Sequence, residues 1–312
     1  MTDDRYAPSV LTAAVTGGDV LPSQSPFIPC GAEAIVQHAV GAAEAGAACV
    51  HVHARTDDGR PSADPRLFVE IVEGIRARSD VVVNVSTGGA PGMSVEERLA
   101  GVRAAQPEIA TFNLGTMNYE GFPVRKRWPK VSTDWERAVL ESSGDGVFTN
   151  TLNQLRLFAA TARELGVTPE LEAYDLGHIS MAKFLIDEGT LEPPVRVQLV
   201  LGVLGGAPNS IDTLVHLREL AHGILGDDLG SLGVAAVGYP QQLRHAAVAL
   251  AVGMDCRVGL EDSLRLRRDE PARDSASLVQ AAVRIAVEVG RPLATSAQLR
   301  ATLGPWQAER RP

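Results

Sequence analysis

Two histidines stand two residues apart in the apolar run Val50-His51-Val52-His53-Ala54-Arg55. Side chains of an extended strand alternate between faces, so both imidazoles project from the same side. Adjacent buried imidazoles cost free energy unless something binds them, and the commonest binder is a divalent transition metal, most often zinc. The plainer alternative is one hydrogen-bonded core histidine with a chance neighbour. A carboxylate is available late in the chain, where Cys256-Arg257-Val258-Gly259-Leu260-Glu261-Asp262 runs off another apolar stretch. With Glu261 as third ligand, the two-His, one-carboxylate set keeps an open position, as catalytic metal sites do and structural ones do not. Alternation assigns Arg257 and Glu261 to one face. For Arg257 and Asp262 the alternative is a purely structural salt bridge.

Other polar residues fall at the ends of apolar runs: Asn84 and Ser86 share a face, followed by the turn Thr87-Gly88-Gly89; Thr111 and Asn113 share another; Glu172 closes a third. The backbone amides of the glycine turn are able to cradle a carboxylate, although a tight connection has the same composition. The alternative for Ser86 and Thr87 is a helix cap ahead of Ser94.

The elements that would position these residues follow one repeated unit, a short β-rich apolar run, a polar loop and an amphipathic Ala/Leu helix. Eight strands are predicted near 10–15, 48–54, 81–86, 109–114, 170–174, 196–201, 234–237 and 257–260, with eight helices near 31–46, 64–79, 94–105, 149–165, 179–188, 210–225, 241–252 and 274–289. Eight such pairs in 312 residues predict an α/β protein, a single-domain (β/α)8 TIM barrel over residues 1–312. Its reacting groups belong at the carboxyl ends of the strands, where the polar residues above collect. One stretch, 115–146, with Trp128, Trp135 and the run Arg125-Lys126-Arg127, exceeds an ordinary βα loop. Excursions of that length are commonly lids or subunit contacts, the alternative being a solvated surface loop.

Composition removes several function classes. A net charge of −9 argues against a nucleic-acid surface, and any anionic ligand must be met by local positive charge. No run of 18 apolar residues occurs, and Asp3 and Asp4 ahead of Arg5 do not form a signal peptide, so the expectation is a cytoplasmic protein. Cys30, Cys49 and Cys256 contain no CxxC pair and read as buried small hydrophobes. Only Lys126, Lys130 and Lys183 are lysines; none lies in a predicted strand, which argues against Schiff-base chemistry in a barrel.

The combination and order of these motifs resemble the β-keto acid cleavage enzyme family. The likeness runs from Leu11-Thr12-Ala13-Ala14-Val15-Thr16-Gly17 and Ala45-Gly46-Ala47, through His51-Val52-His53-Ala54-Arg55, Asn84-Val85-Ser86-Thr87-Gly88-Gly89, Pro169-Glu170-Leu171-Glu172 and Gln198-Leu199-Val200-Leu201-Gly202-Val203, to Arg257-Val258-Gly259-Leu260-Glu261-Asp262. HxHxR, STGG and RVGLED in that order are specific together and weak singly. The resemblance implies a zinc-bearing barrel, usually a homotetramer, that exchanges acyl groups between a β-keto acid and acetyl-CoA to give acetoacetate and a new acyl-CoA. It implies zinc on His51, His53 and Glu261, a proton-handling network of Ser86, Arg257 and Asp262 with Asp262 as base, and a keto-acid pocket of Ser86, Thr87, Gly88, Thr111 and Glu172.

Two departures bear on the substrate. Gly18-Asp19 follows Thr16-Gly17 where the aminohexanoate-cleaving relatives carry a glutamate that meets the substrate amine, so Asp19 is the expected partner of a cationic distal group. Tyr239 stands in Val237-Gly238-Tyr239-Pro240-Gln241 where a basic residue is common. Two other classes compete. An amidohydrolase-type hydrolase also carries HxH, but on its first strand, with further ligands later and often a carbamylated lysine; here His178, His216 and His222 fall in or beside helices. A non-catalytic ligand-binding barrel is the second, and polar residues at five strand ends argue against it.

Overall fold

The computed structural model describes residues 7–89 and 92–304; Asp3, Asp4 and Arg5 lie outside the described residues. Eight parallel strands close into one barrel: β1 (Leu11–Ala14), β2 (Cys49–Val52), β3 (Val82–Val85), β4 (Ile109–Asn113), β5 (Thr168–Ala173), β6 (Val195–Leu201), β7 (Leu229–Ala236) and β8 (Asp255–Val258). Each pairs with the next, and β8 returns to β1 with Leu11 opposite Cys256 and Ala13 opposite Val258. Eight helices alternate with them: α1 (Ala32–Glu44), α2 (Pro65–Arg76), α3 (Val95–Ala105), α4 (Leu152–Leu165), α5 (Leu176–Asp187), α6 (Ile211–Leu225), α7 (Gln241–Ala251) and α8 (Ser275–Glu288). The fold is therefore the (β/α)8 barrel that the repeating pattern predicts. Helix starts are set by side-chain caps, as where Ser94 accepts from Glu97 N and Thr151 from Gln154 N, each satisfying an otherwise orphaned amide. Ser94 thus caps α3 itself, and Ser86 and Thr87 are left free of that task.

The main apolar core lies between the outward faces of the strands and the helices, and joins residues such as Ile35, Ile71, Phe112, Leu171 and Leu278. A smaller cluster of strand-start residues, Val10, Cys49, Val82 and Ile109, packs on Leu299 and Leu303 and seals the amino-terminal end. The barrel interior between that seal and the mouth is polar: Asn84, Glu170, Glu172, Arg196, Gln198 and Arg257 are all buried. This departs from the apolar layers usual in such barrels, and makes the lumen a place where charges are held by one another. Cys49 and Cys256 are buried, whereas Cys30 is only half-buried.

The long excursion after β4 is present and has structure of its own. Met117–Asn118 pairs antiparallel with Val147–Phe148, and a helix spans Asp134–Ser142. Glu136 of that helix is buried and accepts from Ser23 N and Ser23 Oγ, both at 2.8 Å. The excursion is thereby clamped to the loop that follows β1.

Candidate active site

Strand alternation places His51 and His53 side by side at the mouth, with ring centroids 5.1 Å apart. Their backbone is fixed from β1: Val15 N donates to His51 O, and the Thr16 hydroxyl bridges His53 O and His53 N at 2.9 and 3.1 Å. The third residue of the motif, Arg55, is fully buried and has no carboxylate among the described residues at hydrogen-bonding distance. It donates instead to carbonyls of the loop after β1, from Nε to Gly17 O at 3.1 Å and from Nη2 to Val20 O at 2.6 Å. Its guanidinium therefore shapes the turn that carries Gly17, Gly18 and Asp19. A Cβ at Gly17 would lie 2.7 Å from Glu261 Cγ, and one at Gly18 would lie 3.6 Å from His53 Nδ1.

Glu261 reaches the histidines, though not by alternation. β8 ends at Val258, and a Cβ at Gly259 would sit 2.0 Å from Ala14 O. Only glycine lets the chain cross β1 so closely, and the turn it permits swings Glu261 inward. Glu261 Oε2 is then 3.5 Å from His51 Nε2, and Glu261 Oε1 is 3.5 Å from His53 Nε2. One ligand atom from each of the three residues lies within 4.8 Å of the others.

The charges around this cluster are unbalanced. Arg257 receives three carboxylates: Asp262 through Nε and Nη2, Glu261 Oε1 at 3.1 Å and Glu172 Oε1 at 3.5 Å. Burial holds His51 neutral by lowering its pKa to about 3, so it adds no positive charge near neutral pH. Burial also raises Asp262 above the ordinary carboxylate range despite Arg257. Glu261 moves the other way: burial opposes it, but the Arg257 guanidinium above all holds it ionised. One guanidinium against three buried carboxylates is short of positive charge, and Glu261 Oε2 is a buried oxygen without a hydrogen bond. Two imidazoles and an unsatisfied carboxylate oxygen are the donor set a zinc-like ion takes, so these residues fit a divalent metal.

The remaining predicted residues divide into those that face the mouth and those that brace it. Ser86 Oγ accepts from Gly88 N at 3.1 Å and keeps its proton to donate. A Cβ at Gly88 would come within 3.8 Å of His53 Cε1, so the glycine turn passes beside the cluster. Thr87 is a brace: its hydroxyl donates to Thr111 O at 2.7 Å, and its amide donates to Thr111 Oγ1 at 2.9 Å. Thr111 retains its hydroxyl proton. Glu172 accepts from Asn113 Nδ2 and from Tyr174 OH at 2.9 Å, and burial raises it to about 7 against the pull of Arg257. Asp19 lines the open mouth, exposed to solvent on one side and flanked by His53, Arg55 and the excursion, where a Cβ at Gly121 would lie 3.5 Å from Asp19 Cγ. Shielding from water by these neighbours raises Asp19 above the ordinary carboxylate range, against the pull of His53 and Arg55. Tyr239 is exposed beside the base, since Gly238 N donates to Asp262 O at 2.7 Å.

Some supporting residues carry no role in the sequence reading. Asn84, opposite His51 in the sheet register, donates to Glu170 Oε2 at 2.7 Å. The inward period Glu170, Glu172 along β5 is the signal that marks Glu170. Arg98 gives none, because a helical arginine reads as surface; here it is buried, donates to Thr87 O at 2.7 Å and lies over the rings of Phe148 and Phe158.

Comparison with known proteins gives a consistent picture. A family model described as beta-keto acid cleavage enzyme matches residues 8–304. A 3,5-dioxohexanoate:acetyl-CoA acetone transferase of Paraburkholderia graminis is 37% identical over 295 residues, covering 94% of both chains. A 3-keto-5-aminohexanoate cleavage enzyme of Acetoanaerobium sticklandii is 35% identical over 296 residues, covering 95% of this chain and 97% of its own. Among solved structures, the binary complex of ObcA with oxaloacetate aligns with a TM-score of 0.69 at 22% identity, over 90% of this chain and 68% of that one, a likeness of fold.

Proposed function

This chain belongs to the β-keto acid cleavage enzyme family, and from that premise we propose that it exchanges acyl groups between a β-keto acid and acetyl-CoA, releasing acetoacetate and a new acyl-CoA, in a zinc-dependent reaction. The observation that carries this reading is the meeting at one barrel mouth of a His51, His53, Glu261 donor set with a carboxylate, Asp262, gripped by Arg257.

A zinc ion held by His51, His53 and Glu261 would supply Lewis acidity to the ketone and carboxylate oxygens of the substrate. Asp262, whose burial strengthens its hold on a proton, takes the proton from C2 of the keto acid; a base of raised pKa works closer to neutral pH. The carbanion carbon then bonds to the thioester carbonyl of acetyl-CoA, and the C–S bond breaks. The released thiolate adds to the original ketone carbon, the bond between that carbon and C2 breaks, and the proton returns to C2. Acetoacetate and the acyl-CoA balance the atoms taken in. Arg257 keeps Asp262 oriented and offsets the buried negative charge. Ser86 donates its hydroxyl proton, Gly88 lies beside it, and Thr87 with Thr111 holds the turn that presents both. Glu172 lines the same pocket beneath Arg257, and Asp19 lies at the rim toward the distal end of the substrate.

An amidohydrolase-type hydrolase draws further metal ligands from later strands and often a lysine. Among the described residues one cluster of metal-binding side chains occurs, and no barrel strand contains a lysine. The acyl-exchange reading takes residues 1–312 as one catalytic domain of a cytoplasmic homotetramer; among the described residues no helix is long and apolar enough to cross a membrane. The decisive assay offers purified protein acetyl-CoA with a panel of β-keto acids and measures acetoacetate. Formation of acetoacetate that depends on both substrates is expected. Keto-acid consumption without acetyl-CoA would overturn the reading.

A further inference from the structure

The excursion between β4 and α4 carries five cations within thirteen residues of this acidic chain. Arg125, Lys126, Arg127, Lys130 and Arg137 are all exposed, and none forms an ion pair with a described residue, while surface arginines such as Arg78 with Glu33 and Arg156 with Glu188 do. Two of the three lysines of the chain fall within these thirteen residues. Lys130 and Arg137 line a groove of about 330 Å³ together with Trp128 and a single carboxylate, Glu141. The indole is held in place: its Nε1 donates to Phe122 O at 2.9 Å, and the Arg125 guanidinium lies over its ring at 5.4 Å.

This groove is tied to the mouth of the barrel. Gly121, next to the carbonyl that anchors Trp128, abuts Asp19, and Glu136 on the following helix is bound to Ser23 of the loop after β1. A chain of net charge −9 repels a polyanion at long range, so capture of one requires a local field of opposite sign at its point of entry. A fixed indole faced by guanidinium and ammonium groups suits a planar base carrying phosphates, because the ring gives a stacking surface and the cations give charge-assisted hydrogen bonds. The groove is of single-nucleotide size, and no basic track leads away from it as a nucleic-acid strand would need.

We propose that this groove is the docking site for the adenosine 3′-phosphate 5′-diphosphate end of acetyl-CoA, leaving the thioester arm to reach the Asp262 side of the mouth. The assignment rests on the acyl-exchange reading above for the identity of the ligand. It gives the 115–146 excursion a function in co-substrate binding rather than in the chemical step.

The test compares wild type with the triple variant Lys126→Ala, Lys130→Ala, Arg137→Ala, whose three side chains are exposed and outside the catalytic cluster. Two thioesters are used, acetyl-CoA and acetyl-pantetheine, which lacks the nucleotide. KM for acetyl-CoA should rise on the order of tenfold or more, with kcat, KM for the keto acid and KM for acetyl-pantetheine unchanged. Titration of adenosine 3′,5′-bisphosphate by calorimetry, which needs no turnover, should show binding to wild type that weakens with salt and with the substitutions. An unchanged ratio of the two thioester KM values, or unchanged bisphosphate binding, overturns the assignment while leaving the reaction intact. Wild-type protein that binds the bisphosphate through these residues yet turns over no keto acid supports the site and removes the acyl-exchange reading instead.

Discussion

Arg257 holds Asp262 by two parallel hydrogen bonds, Nε to Oδ2 at 3.0 Å and Nη2 to Oδ1 at 2.6 Å, while the same Nη2 donates to Glu261 Oε1 at 3.1 Å. The base and a metal ligand thus share one cation, and a bidentate guanidinium fixes the carboxylate plane as an ammonium would not. Asp262→Asn keeps shape while removing the proton acceptor. Its kcat should fall by about 10² to 10⁴, with metal content and thermal unfolding near wild type. A turnover within a few-fold of wild type would move the base elsewhere. Ser86→Ala should be milder.

Metal content gives an independent check on the same cluster. Elemental analysis of the purified protein is expected to find about one zinc per chain, lost in a His51→Ala, His53→Ala double variant. Gly17→Ala is the subtler probe, because the added methyl would meet Glu261 Cγ at 2.7 Å and displace a carboxylate already gripped by Arg257. Zinc affinity should drop while the circular dichroism spectrum stays the same. Wild-type affinity in Gly17→Ala would show that Glu261 is not a ligand.

The barrel and half of its site were legible in the sequence because they follow from periodicity. Alternation is local, so His51 and His53 share a face wherever the strand lies. Glu261 is different. Its place depends on Gly259 passing over the Ala14 carbonyl, a contact between residues more than 240 positions apart, and the alternation that aligns it with Arg257 in the sequence ends at Val258. Arg55 and Arg98 were illegible for a related reason. Each is buried and satisfied by backbone carbonyls of distant loops, Gly17 and Val20 for one and Thr87 and Thr149 for the other, and no composition rule marks an arginine for that use.

A third expectation concerns the nitrogen of His51 that faces away from Glu261. His51 Nδ1 and Asn84 Oδ1 are both buried without a hydrogen bond, on residues opposite each other in the register of β2 and β3. They are complementary once the ring proton sits on Nδ1, the tautomer required when Nε2 binds a metal. Glu170 fixes the amide the right way round, since a carboxylate oxygen accepts only from Asn84 Nδ2. Asn84→Leu should therefore weaken zinc binding by about 10- to 100-fold, the usual effect of losing such an orienting partner. Competition with a chelator measures it. Equal affinity in a folded Asn84→Leu protein would show that Asn84 does not orient His51.

The last expectation concerns the substrate's distal group. Asp19 stands at the rim between His53 and Gly121 without a hydrogen bond to any described residue that would use up its carboxylate. A free carboxylate at the mouth attracts a cationic group through a charge-assisted contact, contributing roughly 1 to 3 kcal/mol. The competing reading, that Asp19 merely caps the turn after Gly17-Gly18 as aspartates often do, predicts no preference. Measuring kcat/KM for amino-substituted and plain β-ketohexanoates in wild type and Asp19→Asn separates the two. Wild type should favour the cationic substrate by about tenfold or more, since about 1.4 kcal/mol corresponds to a factor of ten, and Asp19→Asn should lose most of that preference while turning over the plain substrate at a similar rate. A preference equal in both proteins, or absent from wild type, removes Asp19 as the partner of a cationic distal group and leaves it as a turn residue.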